Sequence, residues 1–393
     1  METRFESATR LFGGSMMSPI PDPYPVYQRL RRERPVVMLD GQLGRTALVS
    51  RYDDVAAALR DSATFSPRGN ARGIGLVMGR TILEMEGEEH QRQRRLVTPA
   101  FSPRALRDGL DVVVESTIDR LVDRFANDGK ADLVSQLTFT FPLRVMAHVM
   151  ALPIEDFDQF HHWAIDLLSI ADDPQRGFDA AQKIVDYLRP ILERRRREPG
   201  PDLISTLVHA EVDGERLTEE EVLSFLRLLL PAGAETTYRL TGSLLYALLT
   251  HPEARDEVRS HPAALERAIE ETLRWEAAVQ YVSRETTRAV EVAGTTIGAN
   301  ELVMLAIGSA NRDEARFEDP DRFVLGRKNV GDHLAFGFGE HFCLGSNLAR
   351  LEARTAVRVL FDRLPNLRLA PDADCRIVGL AFRSPDRLPV VFG

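Results

Sequence analysis

The sequence predicts a mainly helical protein with a minor β portion, and three observations carry that expectation. A capped, largely apolar stretch runs from Thr218 to Thr250, helical periodicity dominates from His90 to Glu198, and β-like runs occur before Tyr52 and after Trp275. The 393 residues exceed the size at which one compact core usually keeps growing, so one large domain or two closely joined subdomains both fit.

The first element is a short helix over Tyr24–Glu33. Two β-like runs follow, Val36–Leu39 and Thr46–Ser50, with Asp40-Gly41 as the turn. A helix near Asp53–Arg60 leads into a stretch, Gly69 to Gly79, whose glycines predict a loop. Ser102-Pro103 supplies an N-cap and first-turn pair for a helix reaching about Phe125. Phe141–Ala151, Ile154–Ile170 and Phe178–Glu198 repeat the helical period, and the run Arg194–Arg197 reads as a solvated helix end. Thr218 and Glu221 form a capping box, with Leu217 and Val222 as a hydrophobic staple. They open a helix of about 30 residues, roughly 45 Å long, which must be buried because it is apolar on most faces. Helices at Pro252–Ser260 and Ala263–Trp275, a β-rich region, a helix from Leu344 to Leu364 and terminal strands complete the chain.

Composition narrows the function. The net charge of −9 argues against non-specific nucleic-acid binding. Two cysteines, Cys343 and Cys375, make no disulfide framework and suit a reducing cytosol. The N-terminus lacks the apolar core of a signal peptide, and the most apolar stretch, Val222 to Thr250, is interrupted by Arg227, Glu235 and Arg239. A cytoplasmic protein without a membrane anchor is expected.

Two motifs carry chemistry. The first is HLAFGFGEHFCLG, His333 to Gly345, in which Gly337, Gly339 and Gly345 permit tight backbone shapes around Cys343. A helix begins just after the cysteine, and its N-terminal dipole favours thiolate over thiol. Phe336, Phe338 and Phe342 offer an apolar wall around the sulfur. From these residues alone three readings stand: a buried structural cysteine, a zinc site with His333 and His341, or a haem thiolate. The second motif, Pro231-Ala-Gly-Ala-Glu-Thr-Thr237, lies in the middle of the long helix. There Pro costs about 3 kcal/mol and Gly about 1 relative to Ala. That placement implies a local opening or a bend, and Glu235 and Thr236 need hydrogen-bond partners if buried.

The segment from Phe336 to Gly345 resembles the cysteine-loop signature of the cytochrome P450 family at each defining position, and Ala232 to Thr237 resembles that family's A-G-x-[D/E]-T-[T/S] motif. The resemblance spans Tyr24 to Phe392 and implies one cytochrome P450 fold over residues 1–393. It further implies haem b (iron protoporphyrin IX) with Cys343 as the axial iron ligand and Phe336 beside it. Ala232 and Gly233 would leave room for dioxygen. Thr236 would hydrogen-bond the bound oxygen and Glu235 would relay protons, with Arg239 one turn away as a possible partner for that acid. Pro231 departs from the family pattern.

By the same resemblance, Glu271, Arg274 and Arg322 form a Glu–Arg–Arg brace. His90 and Arg94, Arg284 and His341 donate to the haem propionates, and His333 braces the loop. The lead-in Glu86-Gly-Glu-Glu-His90 departs from the usual one. Leu76, Val77, Met78, Leu168, Leu229, Ala232, Val279 and Phe382 are the pocket candidates, with Arg72 or Arg383 as a possible charged anchor. Arg92, Arg95, Arg350, Arg354 and Arg358 offer a basic docking face. The implied activity is monooxygenation of an apolar small molecule such as a terpenoid, steroid, polyketide or fatty acid. Dioxygen is the second substrate, and the chain is expected to act as a monomer. Electrons would come from NAD(P)H through a ferredoxin and its reductase, since no dinucleotide fingerprint is present. A haem sensor performing no oxidation is the alternative from another class, and the Glu235–Thr236 pair argues against it.

Overall fold

The computed structural model describes residues 7–15, 17–41, 44–102, 109–171 and 173–393. The capped stretch becomes one helix, Glu219–Thr250, of 32 residues. Thr218 Oγ1 accepts from the Glu221 N–H at 3.2 Å, and the Glu221 carboxylate accepts from the Thr218 N–H at 2.7 Å, which satisfies two otherwise orphaned donors. The helix runs unbroken through Pro231. It packs against Phe141–Val149, Ala264–Trp275 and the cysteine-following helix Ser346–Arg363, so its apolar faces have neighbours on several sides.

A five-stranded sheet lies to one side, in the order Val36–Gly41, Gly44–Val49, Leu302–Ala306, Tyr281–Thr286, Phe65–Ser66. Its one parallel pairing joins Leu302–Leu305 to Thr46–Val49. The first strand continues through Asp40 and Gly41, which are therefore strand residues and not the expected turn; residues 42–43 lie outside the described residues. The glycine-rich stretch is not one loop. It holds a 3₁₀ turn, Pro67–Arg72, and a short helix, Gly75–Met78. Its glycines serve packing: a Cβ on Gly69 would lie 3.0 Å from the Arg284 backbone. The helix expected from Ser102-Pro103 is described over Leu110–Val122, and its proposed first turn lies outside the described residues. Pro174–Arg197 begins a turn earlier than periodicity suggested, because Asp173 caps the Arg176 N–H at 3.2 Å and Pro174 takes the first turn.

The brace beneath the cysteine loop differs from expectation in one member. Glu271 and Arg274 are buried and joined by two 2.8 Å bonds. Arg322 is not the second arginine: its side chain is 75% exposed and reaches only Asp319, at 3.5 Å. Arg327 takes that place, its Nε lying 3.1 and 3.2 Å from the two Glu271 oxygens with its side chain only 5% exposed. Arg322 contributes its carbonyl, which accepts from Arg274 and Arg327. Arg383, considered as a substrate anchor, is another buried brace: it donates to Glu276 at 2.6 Å and to the Ile20 carbonyl at 3.0 Å.

A second carboxylate, Glu270, joins the same helix to the cysteine loop. It accepts from Arg350 at 2.6 and 2.9 Å and meets His333 Nε2 at 3.1 Å. Burial pushes this carboxyl up, but hydrogen bonds from Arg350 and His333 outweigh it and hold it at about 2. A carboxyl depressed on folding contributes stability above its unfolded value, about 4.3, and that contribution fades as pH falls toward 2. Glu270→Gln should therefore flatten the dependence of Tm on pH between about 5 and 2, measured by circular dichroism, relative to the parent protein.

Candidate active site

The loop His333–Gly345 folds back on itself: the Cys343 N–H donates to the Phe336 carbonyl at 2.8 Å, and Gly337 to Leu334 at 2.9 Å. Gly337 and Gly339 sit at φ of +72° and +75°, a region that disfavours other residues. Cys343 is exposed by surface area, yet protein crowds it enough that burial raises its thiol pKa. Both observations fit a side chain set in a concave wall. The backbone N–H of Gly345, then Arg94 and Arg350, then the N–H of Ser346, act in the opposite direction and favour the thiolate. Of the three phenylalanines, only Phe336 is buried, under the Arg350 guanidinium at 4.5 Å. Phe338 lies 4.4 Å beneath Arg60 and Phe342 is exposed, so the apolar wall is narrower than expected. The zinc alternative loses His333 to Glu270, and no metal-ligating cluster occurs among the described residues.

Beside this loop the structure gathers His90, Arg94, Arg284 and His341. The His90 and His341 rings lie 4.2 Å apart, and Arg94 donates to the Phe342 carbonyl at 2.5 Å. Both ring nitrogens of His90, Nε2 of His341 and Nε of Arg284 are buried without a hydrogen-bond partner. Glu340 stands 3.9 Å from His341, too far for a hydrogen bond. Burial, then His90, Arg284 and Arg94, pull His341 down to about 3, and burial lowers Arg284 to about 10. Buried donors normally find acceptors. Four clustered basic side chains, three of them with buried nitrogens lacking a partner, are the complement of an anionic group with several acceptor oxygens, which the two carboxylates of haem provide.

On the central helix, Ala232, Thr236 and Leu229 share one face by helical spacing. Ala232 is exposed although the helix around it is buried, so this face borders a cleft. Thr236 Oγ1 donates to the Ala232 carbonyl at 2.8 Å. Gly233 also falls near that face by spacing, but it is packed against a neighbouring helix. A Cβ there would come within 2.9 Å of Met146, so this glycine permits close helix packing. Glu235 is held by Arg239, whose Nε lies 2.9 Å from its carboxylate and whose Nη1 donates to Ser384 Oγ at 3.1 Å. Arg239 also lies 5.6 Å from the Phe382 ring, and Phe382 bridges Val279. The proton-relay candidate is thus tied to a segment proposed to line the pocket, through Arg239, Tyr238 and Ser384. Sequence reading left Arg239 open and gave no signal for Ser384, which is far away in the chain.

The pocket candidates divide. Val77, Met78 and Leu229 belong to one buried cluster, while Leu76 is 54% exposed. Leu168 lines a small cavity of about 30 Å³ with His161, Pro231, Glu235 and Tyr238, on the side of the helix away from Gly233. That volume admits one water. Pro231 walls this cavity and leaves the Arg227 carbonyl without its usual intrahelical donor, which gives the unexpected proline a local consequence beside Glu235. Arg72 pairs with Glu285 at 2.7 Å.

The basic docking face is neutralised. Arg92 pairs with Glu221 at 2.7 Å, Arg95 with Asp213 at 3.3 Å, Arg350 with Glu270, Arg354 with Glu266 at 2.7 Å and Arg358 with Glu115 at 2.6 Å. No helix among the described residues is long and apolar enough to cross a membrane.

A family model described as Cytochrome P450 matches residues 20–151 and 143–364. Cytochrome P450 107B1 of Saccharopolyspora erythraea is 37% identical over 382 residues, covering 93% of each chain. The mycinamicin IV hydroxylase/epoxidase of Micromonospora griseorubida is 36% identical over 377 residues, 93% of this chain and 94% of that protein. Among solved structures, a Bacillus megaterium P450 in complex with testosterone superposes with a TM-score of 0.86 at 30% identity, covering 95% of this chain and 99% of that one.

Proposed function

From the premise that this chain belongs to the cytochrome P450 family and is a haem b monooxygenase, we propose how its own residues divide the work and what it oxidises. Cys343 would hold the haem iron through its thiolate. His90, Arg94, Arg284 and His341 hold the propionates, and the unmet buried donors of that cluster are the observation that carries this reading. When bound, the haem supplies an iron at which dioxygen is reduced and one oxygen atom is passed to the substrate.

The surrounding side chains control protons and access. Thr236 presents a hydroxyl on the cleft face, held by its bond to the Ala232 carbonyl, from which it would hand on a proton. Glu235 accepts protons from the solvent side and passes them toward Thr236, with Arg239 setting its orientation. Leu229, Val77, Met78, Val279 and Phe382 make the substrate wall apolar. We propose a steroid- or macrolide-sized substrate, supported by a relative named a mycinamicin IV hydroxylase/epoxidase and by a similar solved structure in complex with testosterone. Electrons come from a separate ferredoxin and reductase. In support, the described strands contain one parallel pairing and no doubly wound sheet for a dinucleotide. The unit acts as one domain, residues 1–393.

The reduced protein under carbon monoxide should show the red-shifted Soret band of a thiolate-ligated haem. A band at the position typical of histidine ligation would overturn the role of Cys343. Coupled NADPH consumption with a product gaining one oxygen atom then separates catalysis from sensing, and a steroid and macrolide panel read by spin shift identifies the substrate.

A further inference from the structure

Arginines in this protein usually have acidic partners, including Arg92, Arg95, Arg350, Arg354 and Arg358. Three break the pattern together. Arg120, Arg124 and Arg144, with His148, line a half-enclosed cavity of about 210 Å³. Among the described residues none of the four side chains makes an ion pair or hydrogen bond. The arrangement follows from helical geometry. On Leu110–Val122 and the turn after it, Glu115, Asp119 and Asp123 recur at four-residue spacing and are all used by Arg358 and Arg363. Thr117, Arg120 and Arg124 fall on the other side and face the neighbouring helix Phe141–Val149, which contributes Arg144, Ala147 and His148.

Arg144 is the most confined. Its guanidinium lies 4.0 Å over the Phe157 ring, and its Nε is buried with no partner. Burial, then the charge of Arg124, holds its pKa below the usual value, with Asp158 opposing weakly. Stacking on Phe157 leaves the edge of the guanidinium free to donate.

We propose that this cavity binds a small phosphate monoester. Three guanidiniums, a hydroxyl and an imidazole offer more donors than one carboxylate can accept, whereas a tetrahedral phosphate presents enough oxygens for several forks. Leu121, Ala147, Leu152 and Phe157 give an apolar wall for the organic part of the ester. The cavity is smaller than the roughly 300–1,000 Å³ of pockets for drug-sized ligands, which restricts the occupant to a compact molecule. The site lies apart from the cysteine loop and needs no haem contact, so its failure would leave the monooxygenase reading untouched.

The test is calorimetric titration of the haem-loaded protein with phenyl phosphate, inorganic phosphate and benzoate. Phenyl phosphate should bind saturably at one site and more tightly than benzoate. Arg120→Gln/Arg124→Gln should weaken it by about ten- to a hundredfold, the range expected for losing charge-assisted bonds. Both arginines are exposed, so this variant should keep the parent Tm and carbon-monoxide spectrum. Arg144→Met should weaken phenyl phosphate similarly. No saturable binding, equal affinity in parent and double variant, or benzoate binding as tightly as phenyl phosphate would each overturn the proposal.

Discussion

Glu235→Gln should lower coupled turnover by about 10²–10⁴-fold while substrate binding, read by spin shift, changes little. The expectation follows from what the substitution keeps and removes. Glutamine retains the shape and can still accept from Arg239, whose Nε lies 2.9 Å from the carboxylate, but it cannot carry a proton. Electrons should still be consumed, because nothing in the change touches Cys343 or the propionate donors, so more of the oxygen should leave as hydrogen peroxide. Product and peroxide measured against NADPH give the ratio. Unchanged coupling would remove Glu235 from proton delivery.

The Arg239 clamp adds a companion expectation. Arg239→Lys keeps the charge but loses the fork that spans Glu235 and Ser384, so the acid should be less restrained. Its effect belongs in the pH profile of turnover more than in substrate affinity. Were Arg239 only a structural tie, that profile would keep its shape and Tm alone would move.

Local signals in the sequence were reliable where the physics is local. Tyr24–Glu33 and Pro252–Ser260 have the bounds expected from periodicity, and the capping box at Thr218 marked the start of the central helix. Strength of local pattern did not suffice at Gly69–Gly79, where close contact with the Arg284 backbone, invisible in the sequence, turns a glycine-rich stretch into ordered turns. Gly233 shows the same limit inside a motif: the spacing was right, but only the packing of Met146 reveals which way the missing side chain would have pointed. Ion pairing was least legible. Whether Arg322 or Arg327 meets Glu271 depends on the path of an irregular segment, and whether Arg354 is a docking charge depends on Glu266, 88 residues away. A charged side chain declares its chemistry in sequence, but its partner is a tertiary fact.

That difference makes the Glu271 brace the sharpest test of the structure. Arg327→Ala should destabilise the protein by about 3–5 kcal/mol, because it leaves a fully buried carboxylate with a single cationic partner. Glu271 would keep the two 2.8 Å bonds from Arg274 and the Val324 N–H at 2.9 Å, but lose both contacts from Arg327 Nε. The Glu318 carbonyl, which also accepts from Arg327, would be released, as would its longer contacts to the Asp319 and Arg322 carbonyls. The segment carrying those carbonyls leads directly to the cysteine loop, so the loss should spread to haem retention. Arg322→Ala is the control. Its side chain is mostly solvated, so its cost should stay within about 0.5 kcal/mol. Urea unfolding of the haem-loaded variants, with the haem content after gel filtration, separates the two. Equal costs at 322 and 327 would contradict the arrangement, and a larger cost at 322 would restore the arginine that sequence resemblance had favoured.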